Sequence, residues 1–143
     1  MTLQILIDEI SKLAIRQKCV NEALGGTDIY SINGMTIKDY PLLFASPTGG
    51  HRFNGNTTEY TITLYYLGRL LDDFENDITL LSTAVEQLKN IIYGIGTIKG
   101  VVGVQDNYDI VNFTETEAFD DKLAGAYATI RIEAVNETIC YEE

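Results

Sequence analysis

The chain has 143 residues, 45 % hydrophobic and 22 % charged, the composition of a folded globular domain and not of a disordered segment. Its 10 basic against 21 acidic residues give a formal net charge of −11, which excludes a protein that grips nucleic acid through clustered Lys and Arg. That length fits a single domain, residues 1–143, able to bury roughly two-thirds of its unfolded surface.

Leu3, Leu6, Ile7, Ile10, Leu13 and Ala14 recur at helical spacing, with Asp8, Glu9, Lys12 and Arg16 on the opposite side. The pattern predicts an amphipathic helix from about Thr2 to Leu24, stopped by Gly25-Gly26. Asp28–Ile32 reads as a short strand and Asn33-Gly34 as a tight turn. Tyr40–Ala45 reads as another strand, with Pro41 at its start, where a missing N–H is tolerated. Ser46–Thr58, SPTGGHRFNGNTT, is dense in Gly, Asn, Thr and Pro, and predicts a loop longer than a hairpin needs. Loops of that length are often functional.

The stretch from Glu59 to Val85 organises the rest. Tyr60, Ile62, Leu64 and Tyr66 point one way and Thr61, Thr63 and Tyr65 the other, the period of a long strand with one buried face. An acidic turn, Asp72-Asp73-Phe74-Glu75-Asn76-Asp77, leads into a helix whose Ile78, Leu81, Val85, Leu88 and Ile92 share one face. The carboxylates and Asn76 are placed to cap free N–H groups at the positive end of the helix dipole. Gly94–Gly103, with four glycines between apolar residues, predicts a mobile segment. Asn107–Thr116 alternates as a strand, and Asp120-Asp121-Lys122 makes a turn. Leu123–Val135 is the last strand, with Ala126, Ala128, Ile130 and Ile132 on one face and Tyr127, Thr129, Arg131 and Glu133 on the other. From Asn136 the chain is an acidic tail, frayed or docked on a neighbour. The expected fold class is α+β: a mostly antiparallel sheet with two amphipathic helices packed on one face, its second face left to solvent or another subunit.

Chemistry-bearing groups are sparse. His51, beside Arg52, has no orienting carboxylate or nucleophile near it in sequence. His51, Cys19 and Cys140 lack the paired spacings of a zinc site. Asp72, Asp73, Glu75 and Asp77 lack the glycine of a calcium loop, and helix capping accounts for them. Gly94, Gly96, Gly100 and Gly103 follow a helix instead of a strand and lack the Gly-Lys-Ser/Thr order of a phosphate loop. No catalytic, cofactor-binding or metal-ligating residue is therefore expected. No apolar run approaches the ~20 residues of a membrane span. MTLQILIDEI lacks the basic start of a signal peptide, so Cys19 and Cys140 are expected as free thiols in a reducing compartment. Nine tyrosines without tryptophan, and with few Arg and Lys, suit protein interfaces better than base stacking.

Three stretches carry a resemblance. Asp28-Ile29-Tyr30 leads toward Tyr40-Pro41; Tyr65-Tyr66-Leu67-Gly68-Arg69-Leu70 precedes Asp72, Asp73 and Asn76; and Phe119-Asp120-Asp121-Lys122-Leu123 opens into a small-residue strand. With the order of elements, they resemble the small tail-terminator, tail-completion and neck-ring proteins of tailed bacteriophages. Gly68 departs from that pattern, where a polar residue would suit better, and is read as the mark of a bulge. The resemblance implies a virion structural protein, made in the host cytoplasm, that is not an enzyme and has no cofactor. Its subunits would close into rings, commonly of six or twelve, against portal, adaptor or tail proteins. DNA would pass through the lumen without specific binding, and no membrane is involved.

The expected subunit-interface residues are Gly49, Gly50, His51, Arg52 and Phe53 of the glycine-rich loop, with Tyr65 on the central strand. Acids such as Asp106, Asp109, Glu115, Glu117, Asp120 and Asp121 are candidates for a repulsive channel lining or for an outer soluble surface. Two other classes fit the composition: a small cytoplasmic protein-binding adaptor domain, and a metal-assisted enzyme using the carboxylates.

Overall fold

The computed structural model describes residues 1–34, 39–71, 76–119 and 121–136. In chain order these form α1 (Leu3–Arg16), β1 (Glu22–Gly25), a 3-10 helix (Ile29–Gly34), β2 (Leu42–Pro47), β3 (Arg52–Phe53), β4 (Thr57–Arg69), α2 (Asp77–Ile95), β5 (Val101–Val104), β6 (Val111–Glu115) and β7 (Leu123–Val135). The strands make one seven-stranded sheet in the order β1-β2-β4-β7-β5, with β3 paired to β4 and β6 to β7. β1 and β2 run parallel and the remaining pairs antiparallel, so the sheet is mixed and the fold is α+β.

β4 and β7 pair without interruption from Thr57↔Val135 to Arg69↔Leu123 and form the spine. Their expected alternation holds. Tyr60, Ile62, Leu64 and Tyr66 enter the main buried cluster together with Ala126, Ala128, Ile130 and Ile132. Leu6, Ile7, Ile10, Leu13 and Ala14 of α1 and Ala84, Leu88, Ile91, Ile92 and Ile95 of α2 are buried in that same cluster. Burying each such Leu or Ile contributes roughly 1.5–3 kcal/mol. The alanines of β7 supply the shallow ground on which bulky helix residues settle.

Several expectations are corrected. Thr2 Oγ1 accepts the Ile5 N–H at 3.2 Å and opens α1 as predicted, but the helix stops at Arg16, well short of Leu24. Lys18 takes a left-handed φ of 58°, and the Cys19 N–H bonds back to the Ala14 carbonyl. The chain is thereby turned into β1, beside Leu42–Ala45. Asp28–Ile32 is not a strand. The Asp28 carboxylate accepts the Tyr30 N–H and its carbonyl the Ser31 N–H, a local turn that replaces extended pairing and starts the 3-10 helix. On α2 the buried stripe is Ala84, Leu88, Ile91, Ile92 and Ile95; Ile78 is 71 % exposed, and Leu81 and Val85 are only half-buried. Asn76 precedes α2 but caps no helix N–H through its side chain. Its Oδ1 instead accepts the Leu71 N–H at 2.9 Å, and its Nδ2 donates to the Arg69 carbonyl at 3.0 Å. Gly94–Gly103 contains the end of α2 and most of β5. Gly68 marks no bulge, since the register runs straight through Gly68↔Ala124. Residues 72–75, Asp120, Cys140 and the tail from 137 lie outside the described residues.

The second face of the sheet is not left bare. Ile29 and Ile32 of the 3-10 helix, with Phe119, cover Leu42, Phe44, Leu67 and Leu123 in a second buried cluster. Beyond it the same face turns polar. Thr48, Thr63 and Thr129 form a row of hydroxyls 2.8 Å apart, and Arg131 reaches Glu59 at 4.0 Å.

Candidate functional site

The expected interface loop is divided by the structure. Thr48 N–H bonds to the Thr61 carbonyl, and Arg52 and Phe53 pair with Glu59 and Thr58 as β3. Asn54–Asn56 make the tip, where Gly55 has the positive φ of 79° that a tight hairpin requires. Residue Asn136, read from sequence as the start of a loose tail, is what fixes this tip. Its backbone N–H donates to the Asn56 carbonyl at 2.9 Å, its Nδ2 to the Gly55 carbonyl at 2.6 Å, and its Oδ1 accepts from the Thr58 hydroxyl. Nothing in the sequence distinguishes Asn136 from an ordinary tail residue, because its partners are some 80 positions away. Thr57 Oγ1 ties the hairpin to Glu133 at 2.6 Å.

Gly49, Gly50, His51, Arg52 and Phe53 are all exposed and lie together on this protrusion. The His51 ring meets the Tyr60 ring edge-on at 5.3 Å, and the Tyr60 hydroxyl is fixed by the Met1 carbonyl. Phe53, by contrast, is 71 % exposed. Arg52 has no ion pair among the described residues, because its cross-strand neighbour Glu59 is engaged by Arg131. The hairpin thus presents an aromatic ring and an unneutralised guanidinium on a backbone already held in place.

Tyr65 does not join this group. It stands further along β4, half-buried among Phe44, Phe113 and Tyr127 at ring separations of 6.5, 5.9 and 5.5 Å. Burial there, with Tyr127 and Tyr30 nearby, raises its hydroxyl pKa. Its role in this structure is to continue the apolar second cluster.

Cys19, Asp121 and Glu115 are accounted for by their surroundings. The buried Cys19 is a free thiol whose pKa is raised by that burial, the opposite of an activated nucleophile. Asp121 accepts the Tyr40 hydroxyl at 2.9 Å and lies 3.7 Å from the Arg69 guanidinium. The Glu115 carboxylate accepts the N–H groups of Glu117 and Ala118, which lower its pKa and shape the turn after β6. Asp106 and Asp109 are exposed and unpaired by any ion bridge among the described residues. No group of three or more His, Cys, Asp or Glu among the described residues is placed to hold a metal ion. No helix among them is long and apolar enough to cross a membrane.

The fold is an α+β domain from which an ordered hairpin projects into solvent. No protein-family model matches the chain, and no curated protein matches it significantly.

Proposed function

We propose that this protein is a structural virion subunit that closes into a ring, of six or twelve copies, at the head–tail joint of a tailed bacteriophage. In this reading portal, adaptor or tail proteins flank the ring, DNA passes through its lumen without specific binding, and neither catalysis nor a membrane is involved. The observation that carries it is the rigid hairpin with Phe53 held 71 % in water. An aromatic residue on a backbone ordered before contact is what a subunit interface uses, because little conformational entropy remains to be lost on association. The three stretches that resemble neck and tail-terminator proteins support the same reading, as does the charge of −11, which repels a passing phosphate backbone.

The finer architecture belongs to this proposal: a mostly antiparallel sheet with both helices on one face. It is supported by the single cluster in which α1 and α2 are buried with Leu43, Ala45, Leu64 and Ile130. Such an arrangement leaves the sheet edges and the hairpin for neighbours. Size-exclusion chromatography with light scattering, followed by electron microscopy of the peak, tests the function. A discrete closed oligomer with a central opening is expected. A protein that stays monomeric at high micromolar concentration overturns it.

A further inference from the structure

On the outer edge of β7 the ladder is interrupted. β5 pairs with it as far as Val104↔Ile132 and β6 takes over at Val111↔Tyr127, so no strand covers Ala128–Ile130. Residues 105–110 bow away from the gap. Gln105 keeps only a foothold, its N–H donating to the Arg131 carbonyl and its Oε1 accepting the Arg131 N–H. The result is a cleft of about 750 Å³ lined by Asp106, Tyr108, Asp109, Ile110, Val111 and Tyr127, among others. Its lining mixes Tyr108, Ile110, Val111 and Tyr127 with polar groups, and it carries two carboxylates without ion pairs among the described residues. Lys89, the one cation at the cleft, is already matched to Glu86 at 2.5 Å.

We infer that this cleft receives the β3–β4 hairpin of a second copy of the chain, with Phe53 against Tyr108, Ile110 and Tyr127 and Arg52 against Asp106 and Asp109. Three features select that occupant. Charge is the first: in a chain of net −11, association through most of the surface is repulsive, whereas the hairpin offers a free guanidinium beside His51 and the cleft offers two free carboxylates. Shape is the second, because an exposed aromatic ring on a fixed protrusion meets a recess with half-buried tyrosines and Ile110. Topology is the third. The hairpin projects on the β2 side of β4, and the cleft opens on the far side of β7, so knob and hole occupy opposite edges of one β4–β7 ribbon. A knob and a hole on opposite edges give a head-to-tail contact, which propagates from subunit to subunit and closes a ring when the rotation permits. The inference rests on the ring reading and names the contact from which the ring is built.

The test uses two full-length variants, Arg52→Glu/Phe53→Ser with a disabled hairpin and Asp106→Arg/Asp109→Arg with a disabled cleft. All four positions are solvent-facing, and matching thermal midpoints check that both variants fold. Each alone should associate about thirtyfold or more weakly than wild type in light scattering. Mixed in equal amounts they should form dimers and stop there, since one intact hairpin fits one intact cleft and leaves two dead ends. If either variant alone assembles as wild type does, or if the mixture stays monomeric, the hairpin–cleft contact is wrong while the ring reading stands. A monomeric wild type overturns both. Should a charge-reversed variant lose its fold, Arg52→Gln and Asp106→Asn/Asp109→Asn give the same test with smaller effects.

Discussion

Leu80 of α2 rests directly on Gly68 of β4: a Cβ placed on Gly68 would lie 2.5 Å from Leu80 Cδ2. Gly68 is therefore a seat for the helix and not the bulge that its sequence context implies, and it contrasts with Gly125 on β7. A Cβ on Gly125 would overlap the Tyr66 carbonyl, which is backbone within the central ladder. Gly125→Ala should accordingly destabilise by about 3 kcal/mol or more, whereas Gly68→Ala should cost no more than about 1 kcal/mol, because a Leu side chain can move. Urea unfolding midpoints of the two variants check the order; equal losses would show that β4 and β7 shift apart readily.

The stripe of α2 gives a second contrast. Leu88 is fully buried while Ile78 is 71 % exposed, although both belong to the helical face read from sequence. Leu88→Ala should cost roughly 2–5 kcal/mol, and Ile78→Ala should stay within about 0.5 kcal/mol. Thermal or denaturant unfolding measures both.

Alkaline pH should loosen the core through Tyr66. Its hydroxyl donates to the Cys19 carbonyl at 2.8 Å, and burial, with the Cys19 thiol beside it, pushes its pKa from 10.0 up to about 12. The unfolded chain then gives up this proton first, so the contribution is intact below pH 10 and falls away as pH rises toward about 12. Tyr66→Phe should lose about 1 kcal/mol at neutral pH. Its stability should also decline less steeply than that of wild type through the alkaline window, as urea titrations across that range would reveal.

Asn76 predicts a local effect. Its amide holds the end of β4 to the start of α2 through Leu71 and Arg69. Asn76→Ala should cost about 1–2 kcal/mol, and Asn76→Asp, which keeps the acceptor and loses the donor, about half of that. Hydrogen exchange at the Leu71 amide should rise in the alanine variant and stay near wild type in the aspartate variant.

The long strands were legible because Tyr60–Tyr66 and Ala126–Glu133 alternate apolar and polar residues over two or more full periods, which leaves no competing reading. β1 was not, since four residues, Glu22–Gly25, carry no period and acquire their state from a parallel partner at Leu42–Ala45. Ile29-Tyr30-Ser31-Ile32 imitates a strand in residue type, and only the Asp28 side chain hints at the turn that prevails. On α2 the face read from sequence lies to one side of the buried stripe and shares only Leu88 and Ile92 with it, because large apolar residues at Ile78, Leu81 and Val85 flank that stripe. Ala84 and Gly94, small enough to admit close neighbours, mark the buried side; Gly94 lies against Leu13 of α1 and Gln17 just beyond that helix. At the candidate site, glycine and polar density marked Ser46–Thr58 as a loop but hid the two-residue strand β3 and the hairpin it forms, while the cleft opposite depends on where two partner strands end and leaves no local trace.

The threonine row leads from the polar face to the cleft. The Thr48 hydroxyl can donate to the Ser46 carbonyl at 3.2 Å, and the Thr48–Thr63 and Thr63–Thr129 pairs, each 2.8 Å apart, can be bonded in either direction. Its Thr129 end lines the cleft, where a hydroxyl bonded to one neighbour keeps a lone pair to offer. The carboxylates of Asp106 and Asp109 on the same rim add acceptors, and a guanidinium, which has five N–H donors and no acceptor, complements them.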